Sequence, residues 1–149
     1  MDDETTLQTA RQLLAQWTQA TTTPEPHRLD VIVSTADLVA AVTALRQARW
    51  GYLSAITGLD LGVEANTMEA LYHFCAGKAI VTLRVRVSRM NPGVPSICAI
   101  IPSATLFERE LGEMFGITMV NTPNSDRLYL PDDWPQGAYP MRKDFEVSA

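Results

Sequence analysis

One stretch, Ala79–Arg89, limits the possible folds more than any other. Val81, Leu83, Val85 and Val87 alternate with Thr82, Arg84, Arg86 and Ser88. Successive side chains of a strand point to opposite faces, so this pattern predicts one buried and one wetter face. Such a strand belongs in an antiparallel sheet covered on one side. Its neighbours agree. Tyr52–Leu61 and Met68–Cys75 have strand composition, Gly62–Asn66 reads as a turn, and Ala76-Gly77-Lys78 reads as a tight hairpin. Asn91-Pro92-Gly93 turns the chain after the alternating strand, and Ser96–Ile101 reads as an apolar strand stopped by Pro102.

Helices flank these strands. Over residues 5–21, Leu7, Ala10, Leu14 and Trp17 recur at helical spacing, and Leu13 widens the stripe. Thr5 and Gln8 have capping-box spacing, behind the acidic Asp2-Asp3-Glu4. Thr21–Pro26 reads as a linker, and Leu29–Val33 as a short β-branched strand. Ser34 opens a second helix with Asp37 as its box partner; its stripe is Leu38, Ala41, Val42, Leu45 and Ala48, and Gly51 lies just past its end. A third helix spans Ala104–Phe115, with Ser103 or Thr105 as cap and Glu108 at box spacing from Thr105. Phe107, Leu111, Met114 and Phe115 form its apolar face, and Gly116 suits a C-terminal stop. Gly112 costs roughly 1 kcal/mol inside a helix, a loss that makes sense if another backbone approaches there.

After Asn121 the periodicity ends. Pro123, Pro131, Pro135 and Pro140 forbid long regular elements. Yet Leu128, Tyr129, Leu130, Trp134, Tyr139, Met141 and Phe145 supply too much apolar surface for a solvated tail. This segment should lie extended across this domain or a partner, and be loose when uncovered. The expected fold is α+β: a mostly antiparallel sheet with helices packed on one face, plus an extended irregular C-terminal arm. Residues 1–120 form the α+β domain, and residues 121–149 form the docking arm, which is not a separate domain.

Composition excludes several functions. The 149 residues suffice for one domain, and a net charge of −5 argues against a basic nucleic-acid footprint. The acidity concentrates late: eight acids and four bases from Thr105 onward, against nine and eight before it. Cys75 and Cys98 form no CxxC pair and read as buried free thiols. The acidic N-terminus lacks the order of a signal peptide, and no apolar run approaches the roughly 20 residues of a membrane span. His27 and His73 belong to no metal-ligand pattern, and no phosphate-binding glycine loop is present.

The charged residues leave two readings each. Glu108, Glu110 and Glu113 read as a solvated helix face, with Arg109 and Glu113 as an i,i+4 pair, rather than as catalytic carboxylates. Arg142-Lys143-Asp144-Phe145 is either an ordinary charged chain end or a clamp, with Arg142 forking onto a carboxylate and Phe145 anchored in a pocket. Trp134 and Tyr139 divide similarly between packing on their own domain and anchoring an interface.

Phe107-Glu108-Arg109-Glu110, Met114-Phe115-Gly116-Ile117, Pro123, Arg127 and Pro140-Met141-Arg142-Lys143-Asp144-Phe145 together resemble a family signature, that of the C-type peripheral-arm subunits of respiratory complex I, the NADH–quinone oxidoreductase. Leu59-Asp60, Leu71-Tyr72-His73, Val94–Ile97 and Pro102–Ala104 also fit, so the resemblance covers roughly residues 50–146. It implies a subunit without a cofactor of its own, the FMN and iron–sulfur clusters residing in partner subunits. It also implies docking on the large D-type subunit that helps form the quinone site, and contact with other peripheral-arm subunits. The protein would then sit on the cytoplasmic face of the membrane through the complex alone. By this resemblance Glu108, Arg109, Glu110, Phe115, Gly116 and Arg127 lie at the partner interface. Trp134, Tyr139, Arg142, Lys143, Asp144 and Phe145 secure the arm there.

Two departures bear on the reaction rather than the place. Thr122 precedes Pro123 where the family usually has Gly-His, and Gly137-Ala138-Tyr139-Pro140-Met141 replaces the usual Gly-His-Pro-Leu. Leu130–Pro135 with Tyr139-Pro140 is similar to the equivalent subunit of complex I-related membrane-bound [NiFe] hydrogenases.

Overall fold

The alternating stretch forms β5 (Ala79–Ser88), near the middle of a five-stranded sheet. The computed structural model describes residues 2–147. Before β5 come α1 (Asp3–Leu14), β1 (Ala20–Thr22), β2 (Arg28–Val33), α2 (Leu38–Gln47), β3 (Tyr52–Asp60) and β4 (Thr67–Ala76). After it come β6 (Gly93–Pro95), α3 (Thr105–Phe115) and β7 (Thr118–Val120). The sheet order is β1-β2-β5-β4-β3. All its pairings are antiparallel except β2 with β5, which is parallel. The fold is α+β.

Period two decides the two faces. Val81, Leu83, Val85 and Val87 are buried, and so are Phe74, Tyr72, Ala70 and Met68, which stand opposite them on β4. Leu29, Val31 and Val33 extend this face across β2, and Ile56 extends it onto β3. Ala10 and Leu14 of α1, Leu38, Ala41, Val42 and Leu45 of α2, and Leu111 and Phe115 of α3 complete the core. Each large side chain removed from water here contributes about 1.5–3 kcal/mol. Trp50 pins the two N-terminal helices, its indole N–H donating to the Thr6 carbonyl at 2.9 Å.

Phe115 shows how α3 reaches the sheet. A Cβ on Gly58 would stand 2.4 Å from the Phe115 ring, so only a glycine in β3 leaves room for it.

Several local expectations are corrected. Asp2, not Thr5, caps α1: its carboxylate accepts the Thr5 N–H at 2.7 Å. That helix becomes a 3₁₀ turn at Ala15–Trp17, and the expected linker begins with β1, which pairs with β2. Ser34 and Asp37 bond each other in a turn, and α2 starts only at Leu38; Ala48 at its end is exposed. Ser96–Ile101 is not a strand. The strand is the shorter β6, paired in parallel with β7, and the residues after it turn back toward α3. Neither Ser103 nor Thr105 caps α3 with its side chain. Cys98 is a buried free thiol, whereas Cys75 is only half-buried. No helix of the described residues is long and apolar enough to cross a membrane.

Candidate functional site: the C-terminal arm

The arm begins where β7 ends, and its described part to residue 147 contains neither helix nor strand. Without a ladder, its backbone polar groups need other partners. α3 supplies several of them. The Glu113 carboxylate accepts three successive backbone N–H groups, from Leu128, Tyr129 and Leu130, at 2.9 to 3.2 Å. Burial works to raise the Glu113 carboxyl, but these donors and the nearby Arg127 charge hold it below the usual glutamate range.

One turn earlier, Arg109 reaches the same segment from the other polarity. Its Nε and Nη2 donate to the carbonyls of Asp126 and Arg127 at 2.9 and 2.8 Å. Arg127 in turn donates to the carbonyls of Pro131 and Trp134, closing the next loop. The expected Arg109–Glu113 ion pair is therefore absent among the described residues; each side chain grips arm backbone instead. Glu108 departs further from a solvated face. It is 1% exposed and accepts from Ser96 Oγ, the Ile97 N–H and the Cys98 thiol. It staples the turn after β6 to α3. Glu110 alone of the three glutamates is exposed.

The end of α3 is capped by the arm. Gly116 takes the left-handed conformation, φ +71°, that stops the helix. The Met141 N–H then donates to the Met114 carbonyl at 3.0 Å, and Arg142 Nε donates to the Phe115 carbonyl at 2.7 Å. Helix-end carbonyls need such donors, and a cation is favoured there by the helix dipole. The Arg142 guanidinium also lies 4.7 Å from the centre of the Tyr139 ring. Trp134 stacks on Phe145, ring centres 6.0 Å apart, and its indole N–H donates to the Ala138 carbonyl.

The arm's last turn is seated on the sheet. Asp60, at the end of β3, accepts the Lys143 N–H at 2.8 Å and the Gly62 N–H at 2.9 Å. Arg89 joins Asp60 to Asp144, one guanidinium between two carboxylates. Burial opposes the Asp60 charge, yet Lys143, Gly62 and Arg89 together hold its carboxyl below the ordinary aspartate range. Asp60 and Arg89 carry this seat without having been assigned any role from sequence. Asp60 stood only within the Leu59-Asp60 pair that fits the family resemblance, and Arg89 only at the end of the alternating strand.

The backbone is thus held and several apolar side chains are not. Tyr129, Met141 and Val147 are exposed on the arm, as are Leu106 on α3 and Val120 on β7. Between arm and body a cleft of about 660 Å³ opens, lined among others by Arg109, Glu113, Asn121, Arg127 and Trp134. The arginines Arg109, Arg127 and Arg142 donate to carbonyls, and none makes an ion pair among the described residues. Among the described residues no group of His, Cys, Asp and Glu is arranged to hold a metal ion. The geometry can shape and present a surface.

The family model described as "Respiratory-chain NADH dehydrogenase, 30 Kd subunit" matches residues 31–149. Formate hydrogenlyase subunit 5 of Escherichia coli K12 is 36% identical over 121 residues, covering 78% of this chain but 21% of that protein. The C-type NADH-quinone oxidoreductase subunit of Roseiflexus castenholzii is 35% identical over 105 residues, 69% of this chain and 59% of the relative. The present sequence thus spans a fifth and three fifths of these two relatives. A protein in the structure of the membrane-bound sulfane sulfur reductase, an archaeal respiratory membrane complex, has the same fold. It superposes with a TM-score of 0.79 at 19% identity, over 95% of this chain and 85% of that one.

Proposed function

The chain belongs to the family of the respiratory-chain NADH dehydrogenase 30 kDa subunit, and from that premise we propose that it is a non-catalytic peripheral-arm subunit of a proton-pumping NADH–quinone oxidoreductase. In this reading it docks on the large D-type subunit beside the quinone site and supports electron transfer that runs through FMN and iron–sulfur clusters held by its partners. It lies on the cytoplasmic face of the membrane, bound through the complex.

One observation carries the reading: Glu113, Arg109, Asp60 and Arg89 hold the arm by its backbone and its last turn, while Tyr129 and Met141 stay exposed. Tethering that orders a backbone and leaves large apolar side chains outward prepares a docking surface at reduced entropic cost. A few well-packed residues, tyrosine among the favoured types, carry most of an interface's affinity.

A second reading, the equivalent subunit of a complex I-related membrane-bound [NiFe] hydrogenase, is favoured by the match to a formate hydrogenlyase subunit. That relative is about five times longer than the matched region, so a domain of this kind adjoins other domains within one chain.

Affinity purification of the tagged protein from native membranes tests both, with Tyr129→Ala/Met141→Ala as the control. Recovery of a large D-type subunit with NADH- and flavin-binding neighbours, lost in the control, is the expected result. Recovery of a nickel-binding large subunit instead moves the protein to the second reading. A stable monomer with no partner overturns both.

A further inference from the structure

The charges of α3 and the arm are not balanced. Between Thr105 and Tyr139 the sequence has six acids and two arginines, so four of the chain's five net negative charges fall in this one stretch. Both arginines are engaged by backbone: Arg109 by the carbonyls of Asp126 and Arg127, and Arg127 by those of Pro131 and Trp134. The acids are left free. Glu110, Asp126, Asp132 and Asp133 are all exposed, and none forms an ion pair among the described residues.

Two of these acids are held in place. The Trp134 N–H donates to the Pro131 carbonyl at 3.0 Å, which makes Asp132 and Asp133 the central residues of a turn. Arg127 clamps both ends of that turn, through Pro131 and Trp134, at 2.8 and 2.7 Å. Apolar side chains lie beside the acids. Leu106 and Glu110 are one helical turn apart on α3, and the same helix holds residues 126–130 against it through Arg109 and Glu113. Leu106 is 51% exposed and Tyr129 64%. The adjoining cleft reaches Glu108, a buried carboxylate that accepts from Ser96, Ile97 and Cys98 and has no cation among the described residues.

We propose that this strip, from Leu106 and Glu110 across Tyr129 to the Asp132-Asp133 turn, receives a segment of a partner protein that carries lysine or arginine beside apolar side chains. The inference rests on the docking reading above and specifies the chemistry of what docks. Even with Arg109 and Arg127 counted in full the strip is acidic, so it attracts a cationic segment and repels an acidic protein or the phosphates of a nucleic acid. A lone metal ion or polyamine would leave Leu106 and Tyr129 in water, whereas a protein segment covers them. Fixing the two aspartates in a turn before the partner arrives lowers the ordering cost of binding.

The test uses the purified full-length protein and two probes, a peptide alternating lysine with leucine and one alternating glutamate with leucine. Backbone amide resonances report the site. The lysine peptide is expected to shift residues 106–110 and 126–134 saturably, and the glutamate peptide to leave them in place. Asp132→Asn/Asp133→Asn should weaken the lysine peptide about fivefold, the loss of two exposed ion pairs. Both aspartates are exposed and unpaired among the described residues, so this variant keeps its fold, checked by unchanged resonances in the core strands. Glu64→Gln, at an exposed acid on the turn between β3 and β4, should change nothing. Raising salt from about 50 to about 300 mM should weaken the native protein more than the double variant. Equal binding of the glutamate peptide, undiminished affinity in the double variant, an equal loss in Glu64→Gln, or shifts confined to the sheet would overturn the proposal. The membrane purification above separates it from the docking reading. A partner that the double variant recovers as well as the native protein, at low and high salt alike, leaves docking standing and removes this inference; recovery of no partner removes both.

Discussion

The ring of Tyr139 lies against Gly116 so closely that a Cβ on the glycine would stand 2.5 Å from the Tyr139 Cε2 atom. The same glycine ends α3 with φ +71°. One residue therefore stops the helix and makes the bed on which the returning arm lies. Gly116→Ala meets both constraints, and left-handed backbone alone costs about 1–3 kcal/mol in a residue with a side chain. The variant should unfold at lower urea and become sensitive to trypsin at Arg142 and Lys143, read by mass spectrometry of the fragments.

Gly112 is expected to behave in the opposite way. Its added Cβ would meet the Ile117 carbonyl at 3.5 Å, an ordinary contact, so no backbone approach demands a glycine there. Gly112→Ala should be neutral or stabilise by up to about 1 kcal/mol, through helix propensity and a less flexible unfolded state. A clear loss of stability on thermal unfolding would contradict this geometry.

The arm's attachment should depend on pH through Glu113 and Asp60. Both carboxyls titrate lower in the folded protein than their ordinary values of 4.5 and 3.8. Their contribution is thus complete above those values and is lost as pH falls through the depressed folded pKa. Acidification below about pH 4 should increase hydrogen exchange at residues 128–130 and 143 ahead of the core strands. Glu113→Gln should remove this pH dependence at residues 128–130 while leaving it at 143.

Arg89 and Asp144 form one contact of very unequal weight. Arg89 and Asp60 are almost wholly buried, whereas the Asp144 side chain is 53% exposed. Arg89→Ala leaves the Asp60 charge buried without its cation, a loss of about 3–5 kcal/mol. Asp144→Asn gives up an exposed partner worth at most about 1 kcal/mol. Paired denaturation curves should show this separation; equal effects would mean that the arm, not the Asp60 site, stabilises Arg89.

Much of the body was legible from local pattern. The alternation of Val81–Val87, the hairpin at Gly77, the stripes of α1 and α2 and the stop at Gly116 all depend on neighbours within a few residues. The failures arose where a partner distant in sequence overrode the local pattern. Ser96–Ile101 is apolar enough for a strand, but the buried Glu108 carboxylate takes the Ile97 N–H and the backbone turns. Glu113 was spaced to pair with Arg109, but three arm N–H groups offer it more than one exposed ion pair does.

By itself the sequence determined a half-covered sheet, three helices and an arm without periodicity, because side-chain alternation and proline act over a few residues. Its signature residues Glu108, Arg109 and Arg142 to Asp144 were visible as motifs but not as contacts. Only the tertiary structure decided that Asp60 receives the backbone of Lys143, 83 residues away, and that Arg84 and Arg86 bury Glu69 beneath them. The partner of a charge is chosen by which strands and loops arrive beside it, and that information is carried by packing rather than by spacing along the sequence.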